Sequence, residues 1–245
     1  MDWTKAKTIL IAALIITNII LGASLFIVKN NMQYVNLDEE NDIRSFLASR
    51  NIYVYSSIPE RTKSMPVLNV RYDNYPPEKI QQLIENAAVS FAGNMSQEEI
   101  VQRLKDFLIE SGLFNEHARL ETFIDQENGY IVTFKNYYND IPLESSFITC
   151  VIENGRITDI EPLLLTPTKS GTNKKEIIAA TTALFKFAGL IDSSQTPINI
   201  TDIQLVYWVP DMFLFDMEDT TSDTAFPAWC ISYNGEKKCI NAYKE

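Results

Sequence analysis

Cys230 and Cys239 are the residues whose spacing is best suited to covalent chemistry. They flank an Asn234-Gly235 pair, and Asn-Gly between alternating apolar residues favours a two-residue hairpin turn. In such a hairpin Cys230 faces Cys239 as a non-hydrogen-bonded pair, with Cα atoms roughly 4.5 Å apart. That separation allows a cross-strand disulfide, at the short end of the usual range. Two reduced, packed thiols are the alternative interpretation, and Cys150 has no cysteine partner.

Other residue patterns that support catalysis or metal binding are missing from the sequence. His117, the single histidine, follows a predicted helix end in a polar segment, where an exposed capping residue is a simpler interpretation than proton transfer. The acidic segment 215–224 is interpreted as a solvated loop, because it lacks the glycine and final glutamate of an EF-hand calcium loop. We therefore expect no catalytic residue, no metal and no cofactor, and a binding or regulatory protein instead of an enzyme.

Residues 9–28 form a run without a charged side chain that is long enough to cross a bilayer. At about 1.5 Å per residue, this run spans roughly 30 Å as a helix. Lys5 and Lys7 precede it and acidic residues follow it, which favours a cytoplasmic N-terminus. The sequence thus predicts a cytoplasmic tail at 1–8, a single transmembrane helix at 9–28 and an extracytoplasmic remainder. A cleaved signal peptide is the alternative, although the apolar run is longer than a usual signal core.

Asn18 and Gly22 lie four residues apart, on one face of the predicted transmembrane helix. An amide in hydrocarbon has no water to bond, and a glycine lets another backbone approach closely. These two residues are the predicted contact with a partner helix. A tolerated single asparagine is the alternative, since such bonds often contribute only about 0.6 kcal/mol.

Composition restricts the partners of the remaining chain. The whole chain has a net charge of −11, which argues against nucleic acid and against an anionic lipid surface as ligands. Hydrophobic residues make up 46% of the chain, so a folded extracytoplasmic region is expected.

Apolar periodicity and turn residues predict an α+β fold. Helices are expected near 38–50, 77–93, 96–112 and 174–188, the third opened by a capping box of Ser96 and Glu99. Strands are expected near 51–56, 67–72, 119–125, 130–138, 145–153, 156–165, 201–209, 226–233 and 236–242. A helix followed by strands and a closing hairpin occurs twice. We interpret this order as two tandem helix-on-antiparallel-sheet modules, 29–167 with an N-terminal extension and 168–245.

Several short motifs along the chain match the pattern of one protein family: Met1-Asp2-Trp3, Lys5, Lys7, the apolar span with Asn18, Arg50-Asn51-Ile52, Ile58-Pro59, Asn154-Gly155-Arg156-Ile157, Pro227-Ala228-Trp229 and Ile240-Asn241-Ala242. On these motifs the chain resembles the YycI (WalI) family, most specifically at its N-terminus. The last two look like a closing hairpin that the family shares with PepSY-type modules. Cysteines at 230 and 239 depart from the expected pattern.

The resemblance implies a function that the residues alone do not. Family members are membrane-anchored regulators of two-component systems in Gram-positive bacteria. Through their transmembrane helix they associate with a related protein, YycH, as a heterodimer, and together they modulate the sensor histidine kinase that controls cell-wall metabolism. Here that role would fall on the helix carrying Asn18 and Gly22. An anchored PepSY-like inhibitor or chaperone of an extracellular peptidase is the alternative.

Overall fold

The computed structural model describes residues 14, 17, 18, 36–60, 64–73, 75–87, 89–91, 95–114, 117–171, 173–192, 196–210 and 222–244. Its longer elements are four helices and nine strands within these ranges. The helices are α1 (Asn36–Ser49), α2 (Pro77–Glu85), α3 (Gln97–Glu110) and α4 (Ala180–Leu190). The strands are β1 (Ile52–Val54), β2 (Leu68–Asp73), β3 (Arg119–Gln126), β4 (Gly129–Tyr138), β5 (Ile141–Glu153), β6 (Arg156–Ser170), β7 (Ile198–Trp208), β8 (Ser222–Tyr233) and β9 (Glu236–Asn241). The predicted α+β class is confirmed.

The strands form one sheet in the order β1-β7-β8-β2-β6-β5-β4-β3, with β9 paired to β8. β3 to β6 are an antiparallel meander joined by tight hairpins. β2 lies between β6 and β8 and joins this meander to the C-terminal strands. A parallel pair, Leu143 with Tyr207, also links β5 to β7, so β5, β6, β2, β8 and β7 form a closed circuit of pairings.

Helices α2 and α3 cover one side of the meander. The capping box predicted for α3 is confirmed, since Ser96 accepts a hydrogen bond from the Glu99 amide and Glu99 accepts one from the Ser96 amide. The residues α3 buries share one helical face, as the amphipathic pattern requires: Ile100, Leu104 and Leu108. They join a core with Val132, Phe134, Ile148, Cys150, Ile152, Ile157, Ile160 and Leu164 of the strands.

A second core lies around α4. It contains Leu184 and Phe187 of α4 and Trp229 of β8, whose indole N–H donates to the carbonyl of Ile178 at 2.9 Å. Leu47 of α1 belongs to the same core, as do residues of β1 and β2. The segment that the sequence groups with the first module therefore packs with the C-terminal strands. The predicted division at residue 167 falls inside β6, and the interpretation as two copies of one module stays a prediction.

Three hairpin turns have the backbone geometry that Asn-Gly and Asn-Asp pairs favour. The pairs Asn139-Asp140, Asn154-Gly155 and Asn234-Gly235 all have positive φ at both residues, between 45° and 83°. Positive φ at both central positions is the type I′ hairpin turn, which matches the twist of the flanking strands. These turns set the registers of β4–β5, β5–β6 and β8–β9.

Two predicted helices begin or end elsewhere in the structure. The helix expected at 174–188 begins at Ala180, because the residues before it pair with strand-like partners: Lys175 bridges Met65, and Ile177 bridges Tyr243. The helix expected at 77–93 ends at Glu85. Beyond it, the Phe91 amide donates to the Gly155 carbonyl at 2.9 Å, in a turn of the sheet. In an α-helix the same amide would instead donate to the carbonyl four residues earlier.

Some predictions fall on residues that the structure does not describe. Of the expected span 9–28, residues 14, 17 and 18 are described, all as helix, and Gly22 lies outside the described residues. Across the described ranges, no helix combines the length and apolarity needed to cross a membrane. Most of the acidic segment 215–224 also lies outside them.

Candidate interaction site

The hairpin of β8 and β9 places the two cysteines as the turn predicts. Tyr233 pairs with Glu236 next to the turn, and Cys230 pairs with Cys239 three residues further along each strand. The predicted register is therefore confirmed. The two cysteines are joined as a disulfide, with their Cα atoms 4.0 Å apart. Cys230 is buried and Cys239 is half-buried, so the bond lies just beneath the surface.

A cleft of about 370 Å³ lies beside this disulfide, where β5 and β6 approach β7 and β9. Its apolar wall consists of Phe147, Leu163 and Trp208, all half-buried. Its polar groups include Glu144 and Lys237. The cleft forms where β5 leaves β4 and meets β7 at the Leu143–Tyr207 pair, so residues distant in sequence line one opening.

Lysine side chains hold both oxygens of the Glu144 carboxylate. Lys237 Nζ donates to Oε1 at 2.7 Å, and Lys135 Nζ donates to Oε2 at 2.9 Å. Lys135 also donates to Glu121 Oε1 at 3.1 Å. Lys135 is only 5% exposed, although it is a lysine in the middle of a strand. Such a buried charge requires compensating partners, because the interior solvates it poorly.

The electrostatics of Lys135 follow from these contacts. Desolvation by burial disfavours the ammonium form and acts to lower the Lys135 pKa, but the carboxylates of Glu144 and Glu121 favour it more strongly. The net effect raises the Lys135 pKa above its ordinary value. Lys135 is therefore a fixed positive charge behind Glu144.

Cys150 lies away from the disulfide, in the core under α3. Burial raises the pKa of its thiol to about 12, with a smaller contribution from Asp159. The thiolate is the reactive form of cysteine, so Cys150 is chemically inert in the folded protein.

The remaining residues singled out in the sequence do not converge on the cleft. His117 is exposed in the connection between α3 and β3. Asn18 is helical and exposed. Among the described residues, no group of three or more His, Cys, Asp or Glu side chains is arranged to hold a metal ion.

Sequence reasoning missed the Lys135, Glu144 and Lys237 cluster. One signal was present: Lys135 stands between Phe134 and Asn136 in a strand that is otherwise rich in apolar and aromatic residues. A charged residue in such a strand indicates a buried partner. The partner was not identifiable, because Glu144 and Lys237 are 93 residues apart in sequence.

A comparison with protein-family models matches residues 30–243 to the model described as YycI protein. The chain belongs to the YycI family. The matched range covers all the elements α1 to α4 and β1 to β9, so the family assignment rests on the folded region and not on the N-terminal motif from which it was predicted. No curated protein matches the chain.

YycI membership implies the broad role of the protein. The family is one of membrane-associated regulators in the YycFG two-component system, and it is not known to be catalytic. The family match does not extend to PepSY-like modules, which stay a prediction.

Proposed function

We propose that this protein is a membrane-anchored extracytoplasmic regulator of a cell-wall sensor histidine kinase. It acts through transmembrane helix contacts, together with a YycH-like partner in a heterodimer. The family match over 30–243 is the observation that carries this proposal, because it supports a role in two-component regulation. The uncharged run at 9–28 supports a single span, and Lys5 and Lys7 before it support an extracytoplasmic folded region.

The face of the helix that carries Asn18 and Gly22 is the proposed contact. Helix association in lipid depends on close backbone packing and interhelical hydrogen bonds, since burial from lipid gives no hydrophobic gain. A glycine four residues from an amide provides both features on one face.

The test is crosslinking of the full chain in native membranes, followed by quantification of the kinase and the YycH-like protein that are recovered. The double variant Asn18→Leu/Gly22→Leu is compared with a matched control, Ile16→Leu/Ile20→Leu, which lies on the opposite side of the predicted helix. We expect the first variant to recover less of both partners and the control to match the unmodified protein. Equal recovery with both variants would remove this face from the proposal.

A further variant separates the span from the exterior region. Replacing residues 9–28 with an unrelated apolar helix keeps the anchor but removes the proposed contact. Retention of the kinase by this variant would assign the contact to the exterior region. Recovery of a secreted peptidase without the kinase would favour the alternative role as an inhibitor or chaperone.

A further inference from the structure

The cleft beside the disulfide has the size and lining of a ligand site. Pockets for small ligands typically enclose about 300–1,000 Å³ and combine apolar walls with a few polar groups that fix orientation. This cleft has a volume of about 370 Å³ and the apolar wall of Phe147, Leu163 and Trp208. Its polar side is formed by Glu144 and Lys237, which lie close enough to bond each other.

The charge of the cleft is opposite to that of the chain. The chain as a whole has a net charge of −11. At the cleft, however, two lysines neutralise Glu144, and Lys238 also lines the opening. The lysines exceed the carboxylates there, even when Glu121 behind the cleft is included. The local potential therefore favours a negatively charged ligand group.

Lys237 has donors left for such a group. An ammonium carries three N–H donors, and the structure assigns one of them to Glu144. The Lys237 side chain is 36% exposed, so the rest of the ammonium is accessible from the cleft. Lys135 is different, because it is 5% exposed and bonded to two carboxylates, and it acts by holding Glu144 in place.

The apolar wall of the cleft favours a ligand that is larger than a simple anion. Phosphate or acetate would contact Lys237 but would leave Phe147, Leu163 and Trp208 facing water. We propose that the cleft binds a peptide segment carrying a carboxylate next to a large apolar side chain. The carboxylate bonds Lys237, and the apolar side chain packs against Trp208. This site lies outside the proposed membrane contact and does not depend on it.

The test uses the full chain in detergent and two capped tripeptides, Ac-Phe-Leu-Glu-NH₂ and Ac-Phe-Leu-Gln-NH₂. Binding is followed by tryptophan fluorescence, and the Trp208→Phe variant identifies the part of the signal that comes from the cleft. We expect the Glu peptide to bind about tenfold more tightly than the Gln peptide, since a charge-assisted hydrogen bond is stronger than a neutral one.

Two lysine variants determine whether Lys237 causes this preference. Lys237→Gln should bind both peptides equally, while Lys79→Gln, which removes an exposed lysine on α2, should keep the tenfold difference. Equal affinity of the two peptides for the unmodified protein would overturn the proposal. An unchanged preference in Lys237→Gln, or no Trp208 signal at millimolar peptide, would overturn it as well. Kinase recovery is not part of this readout, so failure here is distinguishable from failure of the membrane contact.

Discussion

Removing the charge of Glu144 should destabilise the fold more than removing the charge of Lys135. In Glu144→Gln, Lys135 stays buried and keeps a single carboxylate, Glu121 at 3.1 Å. Removing one partner of a buried ion pair lowers the free energy of unfolding by about 3–5 kcal/mol, and the remaining contact with Glu121 should reduce this loss to roughly 2–3 kcal/mol. In Lys135→Met, Glu144 keeps Lys237 at 2.7 Å and no buried charge is left alone, so the loss should be about 1 kcal/mol or less.

Urea unfolding of the full chain, followed by circular dichroism, measures both losses. The double variant Lys135→Met/Glu144→Gln should resemble Lys135→Met, because the buried charge that makes the glutamate change costly is gone. Glu153→Gln, an exposed change on the same strand β5, is the matched control and should alter the free energy of unfolding by less than about 0.5 kcal/mol. A larger loss in Lys135→Met than in Glu144→Gln would refute this account of the cluster.

The same cluster gives a pH dependence with a defined sign. The Lys135 pKa is raised in the folded protein, so the Lys135 charge stabilises the fold at pH values below its ordinary pKa of 10.5. This contribution is lost as the pH rises through the folded-state pKa. Lys135→Met should therefore show a smaller loss of stability between neutral and strongly alkaline pH than the unmodified protein.

Three further predictions concern the cysteines and the turns. Replacing Cys230 and Cys239 by serine should lower the free energy of unfolding by about 2.5 kcal/mol, because the disulfide closes a short loop. Urea unfolding measures this loss, and an unchanged free energy would show that the hairpin does not limit stability. A thiol reagent should detect no cysteine in the native protein, one in urea and three after reduction, since Cys150 is buried; a native signal would contradict the buried thiol. Gly155→Ala should destabilise the protein more than Gly235→Ala, although both glycines have positive φ. Of these two positions, only 155 would place the new Cβ 2.5 Å from a backbone oxygen. Equal shifts of the melting temperature in the two variants would contradict this clash.

Local features of the fold were predictable from sequence. The turns at Asn154-Gly155 and Asn234-Gly235 and the Ser96–Glu99 capping box depend on residues within a few positions of each other. Their conformations follow from the preferences of the residues themselves. The strand boundaries next to those turns were consequently close to the observed ones.

The errors lie where a distant partner overrides a local pattern. Ile177 and Ile178 fit the apolar face of a helix, but Ile177 pairs with Tyr243 and the Ile178 amide donates to the Ala242 carbonyl at 2.7 Å. Hydrophobic periodicity does not distinguish burial by a helix face from burial by such bridges. The cleft was missed for the same reason, since its residues come from strands that are separate in sequence.

The segment that follows the predicted span packs close to β7, the strand that ends at the cleft. The segment that follows residues 9–28 enters the structure as α1, which packs against α4 through the Phe46–Phe185 ring contact at 5.0 Å. It continues into β1, which pairs in parallel with β7. β7 ends at Trp208, on the wall of the cleft. The chain nearest the predicted span and the strand that carries the cleft tryptophan are thus neighbours in one core. These packed elements, and not a flexible linker between two modules, connect the segment after residues 9–28 with the strand that ends at the cleft.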